Sequence, residues 1–254
     1  LKSKKLNIKG QIPSILTICL ILVLWHGISI SGIVPGYMLP SPIDVIKALA
    51  ADFSLLAMHA KYTVIEAFWG LAGGIMIGFV CAVLMDHFDF MYKALYPIII
   101  ITQTIPTVAI APLLILWLGY EMAPKVVLII IVTFFPISIG LLEGFRSADP
   151  DTIRLMKSMG ATRIQIFRHI KLPSAMGQFF SSLRISVSYS IVGAVISEWL
   201  GGFYGLGVYM TRVKSAYAFD RMFAVIIAIS ALSLILMWFV DLLQKICMPW
   251  ENIK

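Results

Sequence analysis

The sequence predicts an all-α integral membrane protein of about six transmembrane helices with a basic helical hairpin between two of them, and three observations carry that expectation. Of 254 residues, 60% are apolar and 13% are charged, against roughly 45–50% and 25% in soluble domains. The apolar residues come in runs of about twenty, the length that crosses a hydrocarbon core of about 30 Å. The most basic stretch, residues 144–174, holds six of the twenty Lys and Arg residues and lies between two such runs.

The chain opens with Lys2, Lys4, Lys5 and Lys9, followed by an apolar run from Ile12 to about Val34. No Ala-x-Ala-like site follows that run, so it is expected as an uncleaved first span. Pro40 and Pro42 then introduce a moderately apolar segment, Val45 to Met58. Asp44, Lys47 and Asp52 make that segment a surface helix on the outer face. Span two is expected over Thr63–Met85, span three over Ala94–Leu118, span four over Pro124–Leu142, span five over Ala175–Trp199 and span six over Met222–Ile246. One membrane domain covers residues 1–254. With six spans both termini share a side, which collects 13 Lys and Arg residues against 6 opposite, Arg184 lying inside span five. The positive-inside rule places the termini and the basic loop in the cytoplasm of a multi-pass cell-membrane protein, in contact with the lipid bilayer.

Span two carries Gly70, Gly74 and Gly78 at four-residue spacing, a flat face for close helix packing within the chain or between two copies. It also carries Glu66, an acid that membrane depth makes costly and that needs a cavity or a partner. Span three contains Pro106 and Pro112 with Gln103, Thr104 and Thr107 beside the first. Groups freed there face protein or a water-filled path, so Gln103, Thr104, Pro106 and Thr107 are candidates for lining a translocation pathway; a kinked packing helix is the alternative. Span five places Ser182, Ser186, Tyr189 and Ser190 on one side. They suit helix packing, and Ser186, Tyr189 and Ser190 are also pathway candidates together with Glu66. Glu198 ends that span within reach of the interface. It opens the glycine-rich run EWLGGFYGLGVYM, whose backbone can turn tightly.

In the basic loop, Asp149 is expected to N-cap a helix whose first turn holds Pro150 and Asp151. Gly160 ends it. Thr162 and Gln165 form a capping box that opens a second helix, which Pro173 is expected to close. Ile153, Met156 and Met159 on the first helix, and Ile164, Phe167 and Ile170 on the second, form apolar faces that need a partner. On physics alone that partner is a set of lipid headgroups or another protein.

The run Gly160-Ala161, nine residues counted from Ala161, and then Ile170-x-Leu172-Pro173 resembles the cytoplasmic signature loop of ABC importer permeases, whose consensus reads EAA, three residues, G, nine residues, I-x-LP. Arg154, Leu155 and Met156 stand where that consensus has Glu-Ala-Ala. The resemblance implies a type I ABC importer permease-like fold. It implies ATPase coupling through Met156, Lys157, Ser158, Met159, Gly160, Ala161, Thr162, Arg163, Phe167 and Pro173. It further implies a homodimer, two copies of a separate ATPase subunit that bind ATP and Mg, an extracytoplasmic solute-binding protein, and no cofactor on this chain. Ile105-Pro106 to Ala111-Pro112-Leu113 is similar to span three of the nitrate, sulfonate and taurine branch. The strings SMGAT, KLPSA, ISEWLGG and GLGVYM look closest to permeases for the pyrimidine precursor of thiamine, with riboflavin importers nearby.

No Gly is followed by Lys, so a phosphate-cradling Walker loop is absent. No His-Glu-x-x-His, Gly-x-Ser-x-Gly or Cys-x-x-Cys is present, which leaves neither an enzyme site nor a metal site. His26, His59, His87 and His169 are scattered and read as interfacial or solvated. Cys19, Cys81 and Cys247 read as packing residues. The basic residues come without a nucleic-acid recognition motif. A gradient-driven secondary transporter and a membrane scaffold are the alternatives from other classes. The first calls for paired intramembrane acids or an inverted repeat.

Overall fold

The computed structural model describes residues 8–249, the side chains of 8–11 apart. Lys2, Lys4, Lys5, Lys254 and the Lys9 side chain lie outside the described residues. Among those described, every regular element is helical. They are α1 (Ile8–Ile30), α2 (Pro42–Ala51), α3 (Phe53–His87), α4 (Asp89–Thr102), α5 (Thr107–Leu118), α6 (Met122–Arg146), α7 (Pro150–Ser158), α8 (Arg163–Ile166), a π-helical turn (Phe167–Lys171), α9 (Leu172–Leu200), α10 (Leu206–Ser215) and α11 (Phe219–Cys247). Five helical stretches are long and apolar enough to cross a membrane: Ile12–Ile30, Phe53–His87, Met122–Arg146, Arg163–Leu200 and Phe219–Cys247. The pair α4 and α5 makes a sixth when the two are counted as one bent span.

Three expectations need correction. Span three is not a continuous kinked helix: it breaks between Thr102 and Thr107 and bends by 98°. The backbone N–H groups of Gln103 and Thr104 tighten onto the carbonyls of Ile100 and Ile101 at 3.1 and 3.0 Å. Pro106, with no N–H to donate and with its restriction on the residue before it, prevents the helix from resuming until Thr107. Pro173 does not close the second helix of the hairpin. Arg163–Leu200 runs on as one helical stretch of 38 residues, because the π turn lets the Leu172 N–H reach back five residues to the Phe167 carbonyl. That wider turn accommodates a proline beginning α9. Finally, the surface helix expected to Met58 stops at Asp52, whose N–H caps the Ala48 carbonyl at 3.0 Å, and Phe53 already begins the long α3.

The chain packs as two compact units, each taken by itself. One comprises the residues up to Ala57 together with Met210–Ala228. In it the Trp25 indole donates to the Pro40 carbonyl at 3.1 Å and its ring lies 5.6 Å from that of Phe223. Val45, Ala48 and Ala224 are buried alongside, and Arg221 pairs with Asp52 at 3.2 Å.

The other unit, Met58–Tyr209 with the residues from Ile229 onward, holds the main bundle. Here α6 is shared. Against α3 it presents Ile129, Thr133 and Ile137, which lie over Gly70, Gly74 and Gly78 so closely that a Cβ on any of the three would overlap them. The flat glycine face is therefore used within the chain. Against α9, a Cβ on Gly144 would meet the Ala175 backbone, and one on Gly140 would meet Ser182. Without a hydrophobic driving force in lipid, close backbone approach supplies the dispersion contacts that hold such helices together.

Candidate functional site: a capped hairpin, a broken span and a buried polar cluster

The hairpin is built by its termini. Asp149 accepts from the backbone N–H groups of Asp151 and Thr152 at 3.2 and 3.1 Å and from the Thr152 hydroxyl at 2.5 Å. Those bonds hold its carboxyl below the usual carboxylate range, so the cap persists into mild acid. At the other end of α7 the Ala161 N–H bonds to the Met156 carbonyl at 3.0 Å, which puts Gly160 in the left-handed region at φ +81°. Thr162 then makes the expected capping box with Gln165, the Thr162 N–H donating at 2.7 Å and the Gln165 N–H at 3.3 Å.

The hairpin is anchored through its second arm. Ile166 is buried and the Phe167 ring lies 5.2 Å from that of Phe145. Lys171 donates to both carboxylate oxygens of Asp86, at the end of α3, at 2.7 and 2.8 Å. Arg146 stacks 3.9 Å over the Tyr92 ring. Ile153 and Met156 are half-buried, whereas Met159 is 74% and Ile164 78% exposed, and Leu155 also points out. Lys157, Ser158, Ala161, Thr162 and Arg163 surround them at or near the surface, and Pro173 lies exposed at the base. A shallow groove of about 630 Å³, lined by Val83, Asp86, His87, Ile153, Lys157, Ile164 and Lys171 among others, runs beside this face. Leu155 was not singled out by the sequence reading, although its spacing from Met159 (i, i+4) could have drawn attention to it.

Among the pathway candidates, Gln103, Thr104 and Pro106 are exposed at the break and Thr107 is half-buried where α5 begins. The hydroxyls of Thr102 and Thr104 bond back to the carbonyls of Ile99 and Ile101 at 2.7 and 2.8 Å, leaving the Gln103 side chain as the polar group that projects. On α9 the helical face separates. Ser186 and Ser190 are buried inside the bundle, the first donating to the Thr133 carbonyl at 3.2 Å and the second to the Val187 carbonyl at 2.8 Å. Tyr189 is exposed on the other side. Arg184 is neutralised by α11, donating to Asp241 at 2.7 Å and to Gln244 at 2.8 Å.

Glu66 is 6% exposed and has found its partner: Lys125 lies 2.6 Å from Oε1. Glu198, at the end of α9, is enclosed by protein. It is 1% exposed, held by the Thr63 hydroxyl at 2.7 Å and the Gly207 N–H at 2.6 Å. His59, expected at an interfacial or solvated position, is 1% exposed and accepts the Gly205 N–H at 3.0 Å. Sequence reasoning missed Lys125, Thr63 and His59. The signal for Lys125 was an uncompensated cation immediately after Pro124 at the head of an apolar run, a place that calls for a buried acid.

Residues 74–246 match the family described as binding-protein-dependent transport system inner membrane component. The chain is 34% identical over 227 residues to a probable ABC transporter permease protein of Haemophilus influenzae, covering 89% of this chain and 93% of that one. It is also 34% identical over 234 residues to the formylaminopyrimidine transport permease protein ThiX of Halalkalibacterium halodurans, covering 92% and 93%. In fold it is similar to a chain of an inward-facing structure of the MetNI methionine ABC transporter, with a TM-score of 0.68, 19% identity and coverage of 77% and 97%. The matched residues include the capped hairpin with its glycine corner and Ile-x-Leu-Pro ending, and family and relatives agree: the chain belongs to the inner-membrane permease subunits of ABC importers.

Proposed function

We propose that two copies of this chain form the translocation pathway of an ATP-driven importer, that each hairpin docks on a separate ATPase subunit carrying ATP and Mg, and that an extracytoplasmic binding protein delivers the solute. In this reading the termini and the hairpin are cytoplasmic, and family membership sets the gradient-driven and scaffold alternatives aside. The observation that supports it best is the hairpin's outward face. Leu155, Met159 and Ile164 are apolar, exposed and carried on doubly capped helices, an arrangement suited to filling a preformed cleft on a partner. The π turn gives that contact a mechanical consequence. Because α8 continues into α9 without an end, a displacement applied near Arg163 travels along the 38-residue helical stretch, and Lys171 passes part of it to α3 through Asp86.

The solute we infer is a pyrimidine precursor of thiamine. Support comes from the relative whose name assigns formylaminopyrimidine, and from the pairing with acids of the two cations set inside the bundle, Lys125 with Glu66 and Arg184 with Asp241. Cells lacking this chain are expected to lose uptake of labelled aminopyrimidine precursor and to retain taurine and riboflavin uptake. Retained pyrimidine uptake with loss of a sulfonate, taurine, nitrate or riboflavin would move the substrate and keep the importer.

A further inference from the structure

The loop between α9 and α10 is fastened by three side chains of the bundle. Gly205 donates to His59 Nδ1 at 3.0 Å, Leu206 to Thr63 Oγ1 at 2.9 Å and Gly207 to Glu198 Oε2 at 2.6 Å. These N–H groups stand at the start of α10, where a helix leaves donors without intrahelical partners. All three acceptors are buried, and the loop's glycines are fitted to them: a Cβ on Gly205 or Gly207 would run into the Glu198 side chain. Alongside, the Tyr204 ring stacks on that of Tyr62 at 4.6 Å and the Tyr209 ring on that of His59 at 5.3 Å.

The three acceptors differ in what acid does to them. The Thr63 hydroxyl does not titrate. A carboxyl keeps lone pairs when protonated, so Glu198 can go on accepting. An imidazole nitrogen has a single lone pair, and a proton placed there turns it into a donor facing the Gly205 N–H. The closed loop and a proton therefore compete for His59 Nδ1.

We propose that the 201–207 loop is an acid-released latch, closed on α3 and α9 while His59 is neutral and opened when His59 Nδ1 takes a proton. The titratable groups around it are Tyr204 and Tyr209, whose rings lie 6.4 and 5.3 Å from that of His59, and Glu198 from α9, linked to it through Thr63 and the loop. Beyond them Glu66 of α3 and Lys125 of α6 pair with each other at 2.6 Å. The phenols stay neutral throughout acid, which leaves the imidazole and the Glu198 carboxyl as groups to be told apart. An imidazole freed to water takes its proton near pH 6.5, so the open form gains about tenfold per pH unit below that value. The latch is thus closed above that pH and weakens as pH falls through it. Its effect on transport rests on the permease reading above, in which the loop faces outward, whereas the latch itself is tested without transport.

The test is hydrogen–deuterium exchange of a peptide covering residues 201–209 in the full chain in lipid nanodiscs, corrected for intrinsic exchange, compared between about pH 7.5 and about pH 5.5, one unit either side of the imidazole value. Wild type is expected to lose about tenfold in protection on acidification, while a peptide from α6 keeps its own. His59→Asn sets an oxygen that takes no proton close to the place of Nδ1, so it is expected to protect the loop equally at both pH values. Glu198→Gln removes the other titrating acceptor and is expected to keep the acid loosening of wild type. Unchanged wild-type protection in acid, a parallel loss in the α6 peptide, acid loosening of His59→Asn, or an acid-resistant loop in Glu198→Gln would each overturn the proposal. So would a loop already unprotected in His59→Asn at neutral pH, since the ring and not its lone pair would then hold it.

Discussion

Gly160→Val is expected to abolish solute uptake while the chain stays folded in the membrane. Gly160 sits at φ +81°, where a side chain costs about 1–2 kcal/mol and a β-branched one more. A Cβ placed there meets nothing within 4 Å. The penalty is therefore one of backbone conformation alone, and the chain can relieve it by unwinding the corner. That would undo the Gly160 and Ala161 N–H bonds to Lys157 and Met156 and rotate α7, with Met159 and Leu155, away from α8. Gly160→Ala should retain partial uptake, and Gly36→Ala, also in open space but without a positive φ, should behave as wild type. Uptake is measured in cells, with membrane quantity and thermal stability of the purified chain as controls. Normal uptake by Gly160→Val would show that hairpin geometry is dispensable and would remove the coupling role.

Gly74→Leu is expected to act in the opposite manner, through loss of the folded bundle. A Cβ at this position would fall onto Thr133 Oγ1 and 3.3 Å from the Phe134 backbone nitrogen. Thr133 cannot swing away freely, because its hydroxyl is bonded to the Ile129 carbonyl at 2.7 Å inside a fully buried site. Separating α3 from α6 also disturbs the contacts at Gly70 and Gly78, so the cost should be about 3 kcal/mol or more, at the upper end of overpacking effects. In detergent the variant should melt well below wild type or fail to purify as a single species. Gly177→Ala, whose added methyl would only touch the tip of Met248, is the matched control expected to leave stability unchanged. A wild-type melting temperature for Gly74→Leu would mean that α3 and α6 are not held as described.

The two variants separate the local from the tertiary parts of the molecule, and legibility in the sequence follows the same division. The hairpin was readable because each of its devices is local. An Asp with Pro behind it, a glycine at a helix end, and Thr-x-x-Gln each satisfy backbone groups within a few residues, so three or four letters suffice. The spans were readable because the bilayer demands long apolar runs, and the glycine face of α3 because a four-residue spacing lies on one side of a helix whatever it packs against. The corrections arose where a local rule has more than one outcome. Pro173 could end a helix or begin one, and the π turn before it decided the matter. Pro106 could kink a span or break it, and tightening at Gln103 and Thr104 gave the break.

What the sequence by itself determined is thus the membrane class, the hairpin with its caps and glycine corner, and the family resemblance. The tertiary structure alone decided how the costly charges are met. Glu66 with Lys125, Glu198 with Thr63 and Gly207, and Arg184 with Asp241 join residues 57 to 135 positions apart, except for the short return to Gly207. A buried charge requires a partner, but nothing in its neighbours along the chain names which one. Only the packing of helices, set by glycines that let backbones approach, brings the two together.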